Sequence, residues 1–294
     1  MRSTPRTFAA AIALVTAFSS LTACIGDAPP PASKEEPSAS DAGPAAPVAD
    51  AAKAEAPAVV VAMDAATTPT PPPPPPPYSA ATDPSMLAFW RFEDPPMSLA
   101  VADASNHLAP GMLAGNATFG LGKVGNGLHV NEDGWVNAGA IPAVADWTIA
   151  LWIRPDKIEE GRTAFDMNYS QGFAAGPIGP RLSHEAAGLT IEVGTGPYMN
   201  MQSVKIVLAT GFATAEWHHV VVTWSKNQLT GYFDGALKGT SPDLQPPTGF
   251  GDIQLGRGKG DYVQTRYTGF IDDVRVYGRA LPADEALEVF QGKR

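Results

Sequence analysis

Cysteine is almost absent from this sequence: Cys24 is the only one among 294 residues. A single thiol cannot form an intrachain disulfide, so the folded part must be stabilised by its own hydrophobic core. A zinc site with several thiolate ligands is excluded for the same reason.

The sequence also lacks a dense cluster of basic side chains. Its net charge is −10, and its only positive part is residues 1–23, which contain two arginines and no acid. Residues 24–85 carry eight acids against two lysines, and residues 86–294 carry 22 acids against 16 basic residues. Binding to a phosphate backbone requires concentrated positive charge. We therefore expect no nucleic-acid partner.

The N-terminal apolar run, from Phe8 to Phe18, is short. A membrane-spanning helix needs about 20 apolar residues, so this run is not expected to span a bilayer. Two arginines precede it, which is the layout of an export signal covering residues 1–23. The run leads to Leu21-Thr22-Ala23-Cys24, which resembles the lipobox of bacterial lipoproteins.

The lipobox resemblance implies that Cys24 is diacylated and becomes the N-terminus of an exported protein. Two acyl chains anchor stably, because each buried CH₂ contributes about 0.8 kcal/mol. Ile25 is not the aspartate usually linked to inner-membrane retention, which favours the outer membrane of the cell envelope. The alternative is an ordinary secretory signal with a cysteine there by chance.

Residues 24–85 are rich in alanine, proline, serine and acids and contain almost no large apolar side chain. Such a segment cannot bury enough surface to offset its chain entropy, so it is predicted to be a disordered tether. Its proline run, residues 71–77, predicts a polyproline II rod of about 22 Å at about 3.1 Å per residue. The tether would hold a domain away from the membrane.

From Met86 onward the sequence contains tryptophans, frequent glycines and short runs rich in β-branched residues. Many short predicted strands separated by turn signals favour an antiparallel sandwich. The dipeptide Asp234-Gly235 predicts a two-residue hairpin turn. Only the last segment is predicted to be helical, because Pro282 and two acids open an apolar pattern there. Residues 86–294 are therefore predicted to form one all-β domain with a short C-terminal helix.

Seven blocks in order carry a family resemblance: FWRFED, GKVGNGLHV with GWV, WTIALWIRP, EWHHVVVTWS, LTGYFDGALKG, IQLGRG and GFIDDVRVYGRALPADEAL. Together they resemble the laminin-G-like, concanavalin A-like jelly-roll family over almost all of residues 86–294. The resemblance implies two antiparallel sheets packed face to face. It also implies a carbohydrate or an extracellular protein as partner, and often a structural calcium ion.

Two adjacent acids in GFIDDVRVY require an explanation. Strand alternation predicts that Asp272 shares the core-facing side with Val274 and Val276. A carboxylate beside a core must be paired, hydrogen-bonded or bound to a metal. By family resemblance Asp272 faces Asp94 and Asp103, and three acids with backbone carbonyls would suit Ca²⁺.

The loop that would complete this calcium site reads DASNHLAPG, whereas the family pattern has small, flexible residues there. A hydrogen-bonded structural carboxylate at Asp272 is therefore the alternative. In that case no ion would be needed.

The acid–x–acid–x–acid pattern of glycan hydrolases of this fold is not found in any strand-like stretch. Arg181 and His184 are expected in a loop, without the linked tyrosine that a lyase needs. His218 and His219 are adjacent on a predicted strand, so they face opposite sides and are expected to be structural. We therefore expect a binding module without catalysis. A glycan-processing enzyme and a purely structural envelope component are the alternatives.

Sugar faces stack on exposed aromatic side chains, and protein partners use Trp, Tyr and Arg as anchors. Trp135, Tyr198, Tyr262 and Tyr267 lie in or near predicted loops and are the candidate platform. The alternative is that Trp135 plugs the core and the tyrosines line its rim.

Overall fold

The computed structural model describes residues 83–131, 133–167, 179–195, 202–244, 250–258 and 265–294. These residues form sixteen strands and one helix. The strands are β1 (Met86–Trp90), β2 (Ala100–Val101), β3 (Gly111–Ala114), β4 (Thr118–Leu121), β5 (Asn126–Val130), β6 (Trp135–Gly139), β7 (Trp147–Pro155), β8 (Thr163–Asp166), β9 (Pro180–Glu185), β10 (Gly188–Thr195), β11 (Gln202–Ala209), β12 (His218–Ser225), β13 (Gln228–Phe233), β14 (Ala236–Thr240), β15 (Ile253–Leu255) and β16 (Gly269–Tyr277). The helix is α1 (Ala283–Phe290).

The strands form two eight-stranded antiparallel sheets. Sheet A has the order β14-β13-β12-β7-β16-β5-β4, and β1 also pairs with β16. Sheet B has the order β11-β10-β9-β8-β15-β6-β3-β2. The pairing of β1 with β16 includes Phe89 opposite Arg275 and Trp90 opposite Val274. The first and last strands therefore meet, and the predicted all-β sandwich is confirmed.

The main hydrophobic core lies between the two sheets. It contains large side chains from both sheets, among them Trp147 and Trp224 of sheet A and Phe165 and Leu255 of sheet B. The rings of Trp147 and Trp224 stack with centroids 6.2 Å apart. Burial of this apolar surface is the main stabilising contribution, at about 25 cal/mol per Å².

Strand β7 has a continuous apolar sequence because it lies at the centre of sheet A and is buried on both faces. It pairs with β12 on one side and β16 on the other, and nearly all of WTIALWIRP is buried. Its inner residues pack in the main core. Its outer residues Ala150 and Trp152 lie towards helix α1, where Ala150 joins a second cluster with Ala286 and Val289.

The predicted hairpin turn at Asp234-Gly235 is confirmed between β13 and β14. Both residues have positive φ, +50° and +76°, which is the backbone of a type I′ turn. A side chain on Gly235 would meet the Phe290 ring at 2.8 Å, so the turn also needs glycine to lie against α1.

The predicted C-terminal helix is confirmed. Pro282 occupies the N-cap, and Asp284 and Glu285 lie in the first turn, where carboxylates complement the positive end of the helix dipole. Ala286 and Val289 are its buried residues. Within the described ranges, no helix has the length and apolar character required to cross a membrane.

Candidate functional site

A row of polar side chains crosses sheet B on the face away from the core. Each of its members is the direct antiparallel partner of the next on the neighbouring strand. The row, from β6 to β11, is Asn137, Gln254, Asp166, Arg181, Glu192 and Lys205. Directly opposed residues on antiparallel strands point to the same face, so the six side chains lie side by side. We refer to these six residues as the polar row.

The orientation of the polar row follows from its apolar neighbours. The residues next to it pair in the same way across the same strands and all belong to the main core: Val136, Leu255, Phe165, Leu182, Ile191 and Ile206. Successive residues of a strand face opposite sides, so the polar row faces outward. Three of its members are nevertheless almost fully buried: Asp166, Gln254 and Glu192.

A network of ion pairs occupies the β9–β11 end of the polar row. Arg181 Nη2 donates to Glu192 Oε2 at 2.6 Å and lies 3.4 Å from Glu185 Oε1. Lys205 Nζ contacts Glu185 at 3.1 Å and Glu192 at 3.8 Å. Burial would raise the pKa of Glu185, but the hydrogen bond and charge of Lys205, with Arg181 and Ser183, lower it below its ordinary value. The two cations thus contact both glutamates, and they favour the ionised form of Glu185.

One donor in this network is unused. Arg181 Nε is buried and has no hydrogen-bond partner among the described residues. A buried donor without a partner costs about 1–3 kcal/mol. A ligand oxygen placed there would recover that energy.

At its other end the polar row meets an aromatic side chain. Trp135 is two residues before Asn137 on β6, so it lies on the same face, and it is half-buried. The guanidinium of Arg257 lies 3.9 Å from the centre of the Trp135 ring and donates from Nε to Gln254 Oε1 at 3.2 Å. Arg266 lies 5.9 Å from the same ring and pairs with Asp133. Trp135 is thus joined to the row through Arg257, and it is outside the main core.

The other predicted aromatic residues have different places. Tyr198 and Tyr262 lie outside the described residues, as does Cys24. Tyr267 is fully buried and belongs to the main core. Its burial raises the pKa of its hydroxyl well above the usual range. The structure therefore brings only Trp135, of the four candidates, to the polar row, and Tyr267 is not available to a surface ligand.

The prediction that Asp272 shares a face with Val274 and Val276 is wrong, because β16 contains a bulge. The pairing with β7 shifts between Asp272 and Arg275, and Asp273 has a φ of +50°. The extra residue moves the alternation by one position, a usual effect of a β-bulge. Ile271, rather than Asp272, is then on the core side with Val274 and Val276.

The predicted calcium ligands are not brought together. Asp94 Oδ1 accepts a hydrogen bond from the Ala102 N–H at 3.0 Å, and Asp272 Oδ2 accepts two backbone N–H groups, from Lys123 and Val124. No group of three or more His, Cys, Asp or Glu side chains suited to a metal occurs in the part of the chain that the structure describes.

Asp103 shows the same preference for N–H donors. Its carboxylate accepts from the backbone N–H of Phe89, Ser105, His107 and Leu108 and from the Ser105 hydroxyl, at 2.7–3.0 Å. Burial alone would raise the pKa of Asp103, but these donors lower it below its usual value. A cation needs free oxygen lone pairs, whereas here they face N–H groups. The geometry of these three acids does not support a shared ion, and calcium binding stays a prediction from resemblance.

The adjacent histidines face opposite sides, as predicted. His218 stacks on Phe233 in the space between the sheets, and its Nδ1 lies 2.8 Å from Asp234. His219 lies under α1 between Trp152 and Phe290, and neither of its ring nitrogens has a partner among the described residues. Burial lowers the pKa of His219 to about 3, so this side chain is neutral.

The sequence does not predict the polar row, because two of its strands, β8 and β9, are not predicted as strands. Arg181 and His184 were expected in a loop, but both lie on β9, and the four-residue β8 carries Asp166. The alternation of polar and apolar residues in PRLSHE and TIEV was the available signal. Which residues of different strands lie opposite each other cannot be read from such local patterns.

A family model described as "Concanavalin A-like lectin/glucanases superfamily" matches residues 131–286, more than half of the chain. The chain belongs to this family. No curated protein matches the sequence significantly.

Solved structures share the fold at low sequence identity. Domain 4 of AbnA, an extracellular GH43 arabinanase from Geobacillus stearothermophilus, was solved in complex with arabinotriose. It is 18% identical, with a TM-score of 0.56 over 70% of this chain and 98% of that one. The binding domain of botulinum neurotoxin serotype D/C is 15% identical, with a TM-score of 0.56 over 74% of this chain. The binding domain of Paraclostridial Mosquitocidal Protein 1 is 16% identical, with a TM-score of 0.55 over 71% of this chain. This chain spans about half of each toxin domain, 53% and 52%.

Proposed function

We propose that this chain is an exported, lipid-anchored surface protein whose sandwich binds a glycan along the polar row without cleaving it. The observation that carries the proposal is the register of six polar side chains, from Asn137 to Lys205, on the outer face of sheet B. Five strand spacings of about 4.8 Å give a row about 24 Å long, which suits a chain of sugars better than a single one.

The chemistry of the polar row fits a hydroxylated ligand. Carboxylates accept hydrogen bonds from hydroxyls, and the amide groups of Asn137 and Gln254 can both donate and accept them. Arg181 Nε offers a buried donor without a partner among the described residues. Trp135, at one end, offers apolar ring surface beside these polar groups, a combination typical of ligand sites.

The solved structures support the same class of ligand. The AbnA domain was crystallised with arabinotriose, and a botulinum neurotoxin D/C binding domain was solved in complex with SialylT. These ligands belong to those proteins. They make glycan the class to test first here.

A binding role without catalysis is favoured by the state of Glu192. This carboxylate is held by Arg181 at 2.6 Å and by Lys205 at 3.8 Å. A general acid or nucleophile must instead be free to reach the glycosidic bond.

The second candidate function is hydrolysis. Asp166 and Glu192 are two buried carboxylates on the same face, separated by the strand of Arg181. Two strand spacings place their backbones about 10 Å apart, a separation compatible with an inverting carboxylate pair. Release of sugar products would select this function over binding alone.

The test is a screen of the full chain against immobilised polysaccharides, scored for both retention and cleavage. We expect retention without product release, and a loss of retention in Asn137→Ala and Trp135→Ala. Gln228→Ala is the matched control, because Gln228 is an exposed amide at the start of β13 in sheet A. If neither Asn137→Ala nor Trp135→Ala lowers retention, or if no glycan retains the protein, the proposed site is wrong.

A further inference from the structure

A separate cavity lies at one end of the sandwich. It has a volume of about 160 Å³ and is lined by residues 158–160, by His184 and Glu185 of β9, by Gly188, and by residues 209–212, which run from the end of β11 into the next loop. On β9, His184 is two residues after the core residue Leu182, so both side chains point to the inner face of sheet B. None of the six residues of the polar row lines the cavity, although Glu185 of the lining pairs with Arg181 and Lys205 of the row.

His184 is the unusual residue of this cavity. It is 2% exposed, and its ring stacks on Phe212 with centroids 5.1 Å apart. Neither ring nitrogen has a hydrogen-bond partner among the described residues. Burial lowers the pKa of His184, so the imidazole is neutral and offers one N–H donor and one acceptor nitrogen. Leaving them unsatisfied costs about 1–3 kcal/mol each.

The charged groups of the lining all have one sign. Glu159, Glu160 and Glu185 contribute carboxylates, and no lysine or arginine belongs to the lining within the described ranges. Glu159 is paired with Arg162, and Glu185 with Lys205. Glu160 is exposed and has no ion pair or hydrogen bond among the residues that the structure describes. An anion would be repelled here, whereas a cation would be attracted.

The size and walls of the cavity limit the ligand further. Sites for drug-sized molecules measure about 300–1,000 Å³, so about 160 Å³ suits one small head group. Ile158, Ala209 and Phe212 give apolar surface on which methylene groups can pack. The cavity thus combines a buried neutral acceptor, an unpaired carboxylate and an apolar wall.

We propose that this cavity binds a primary alkylammonium group. The ammonium donates hydrogen bonds to a ring nitrogen of His184 and to the carboxylate of Glu160, and the attached methylene groups pack on Phe212. The group could belong to a free diamine or to an amino sugar, which share this chemistry. This proposal does not depend on glycan binding by the polar row, and each of the two is tested by its own experiment.

The first experiment compares matched probes on the full chain by calorimetry in 0.15 M salt at pH 7, where both amines are mainly protonated and His184 is neutral. The probes are 1,5-diaminopentane, glucosamine and the uncharged 1,5-pentanediol. We expect saturable binding of at least one amine and binding of the diol at least tenfold weaker. Tighter binding of the diamine assigns the source to free amines, and tighter binding of glucosamine assigns it to amino sugars. Equal binding of the diol and the amines, or no binding of either amine, would overturn the proposal.

Two variants locate the binding. Glu160→Gln removes one charge from an exposed side chain and should weaken amine binding about tenfold without changing the melting temperature. His184→Phe keeps a ring against Phe212 but removes both nitrogens, and should abolish binding. Asp243→Asn is the control, because Asp243 is an exposed acid beside Leu244, which hydrogen-bonds to Asn227 in the turn after β12, away from the cavity. Amine binding that survives Glu160→Gln undiminished, or falls equally in Asp243→Asn, would refute the site.

Discussion

The carboxylate of Asp272 accepts a hydrogen bond from the backbone N–H of Lys123 at 2.7 Å, across 149 residues of chain. The Val124 N–H donates to the same oxygen at 2.9 Å. A side chain on Gly122 would meet this oxygen at 2.6 Å, so the turn between β4 and β5 needs glycine there. Asp272 therefore fixes this turn to the last strand. Its carboxylate is thus hydrogen-bonded in the fold, whereas calcium binding stays a prediction.

The first prediction concerns the pH dependence of stability through Asp272. Burial raises the pKa of Asp272 from 3.8 to about 7. The negative charge of Asp273 also raises this pKa, whereas the backbone N–H donors lower it in part. The folded state therefore binds this proton more tightly than the unfolded state. The stabilisation of the folded state by protonated Asp272 is fully present below about pH 4 and is lost as the pH rises through about 7. At about 1.4 kcal/mol per pKa unit, its upper limit is about 4 kcal/mol.

The measurement is the free energy of unfolding between pH 4 and pH 8 for the parent chain and for Asp272→Asn. The variant should show a smaller loss of stability across this interval, whatever its absolute stability. Parallel curves for the two proteins would mean that Asp272 has an ordinary pKa in the folded state.

Much of the fold could be predicted from the sequence because its signals are local. The apolar run of β7, the Asp234-Gly235 turn and the capping pattern of α1 each depend on neighbouring residues, and each is present in the structure. The bulge at Asp273 could not be predicted in this way. It depends on which residues of β7 and β1 lie opposite β16, and it reversed the predicted side of Asp272.

The second prediction concerns Asp103. Its carboxylate accepts four backbone N–H groups and one hydroxyl, so Asp103→Ala leaves several buried donors without a partner. We expect the free energy of unfolding at pH 7 to fall by about 3 kcal/mol. Ser105→Ala keeps the backbone donors and the carboxylate and should cost about 1 kcal/mol.

The pH dependence of Asp103 has the opposite sign to that of Asp272. The pKa of Asp103 is lowered in the folded state, so its ionised form stabilises the fold above about pH 4. This contribution is lost as the pH falls through the lowered pKa, and the deficit of Asp103→Ala should shrink there. Urea unfolding at pH 7 and pH 3 measures both effects. A deficit below 1 kcal/mol at pH 7 would contradict the assigned hydrogen bonds.

The third prediction concerns the anchor. If Cys24 carries the lipid, Cys24→Ser removes the modification and the exported protein should move from the membrane fraction to the soluble fraction. Ser33→Ala, which changes another small residue nearby, should stay with the membrane. Detection of the chain after fractionation checks this. A Cys24→Ser protein that still sediments with membranes would exclude the lipobox assignment.

The candidate site was harder to predict than the fold. Trp135 could be singled out because a tryptophan in or near a predicted loop is recognisable from the sequence alone. Asp166 and Glu192 could not, since a single acid in a short strand has no distinctive pattern. Their importance comes from Arg181, which lies between them only after β8, β9 and β10 have paired.

The fourth prediction separates the buried and exposed parts of the charge network. Arg181→Ala leaves Glu192, which is 5% exposed, without its 2.6 Å partner. Breaking one side of a buried pair costs about 3–5 kcal/mol. Lys205 is 44% exposed and contacts the same glutamate at 3.8 Å, so Lys205→Ala should cost less than about 1 kcal/mol.

A double variant tests the cause. If the cost of Arg181→Ala comes from an unpaired buried charge, then adding Glu192→Gln should recover part of it, because the amide needs no counter-ion. Urea unfolding of the two single variants and the double variant gives the coupling energy directly. Additive losses would show that Arg181 stabilises the sheet through packing of its stem, and that the ion pair with Glu192 contributes little.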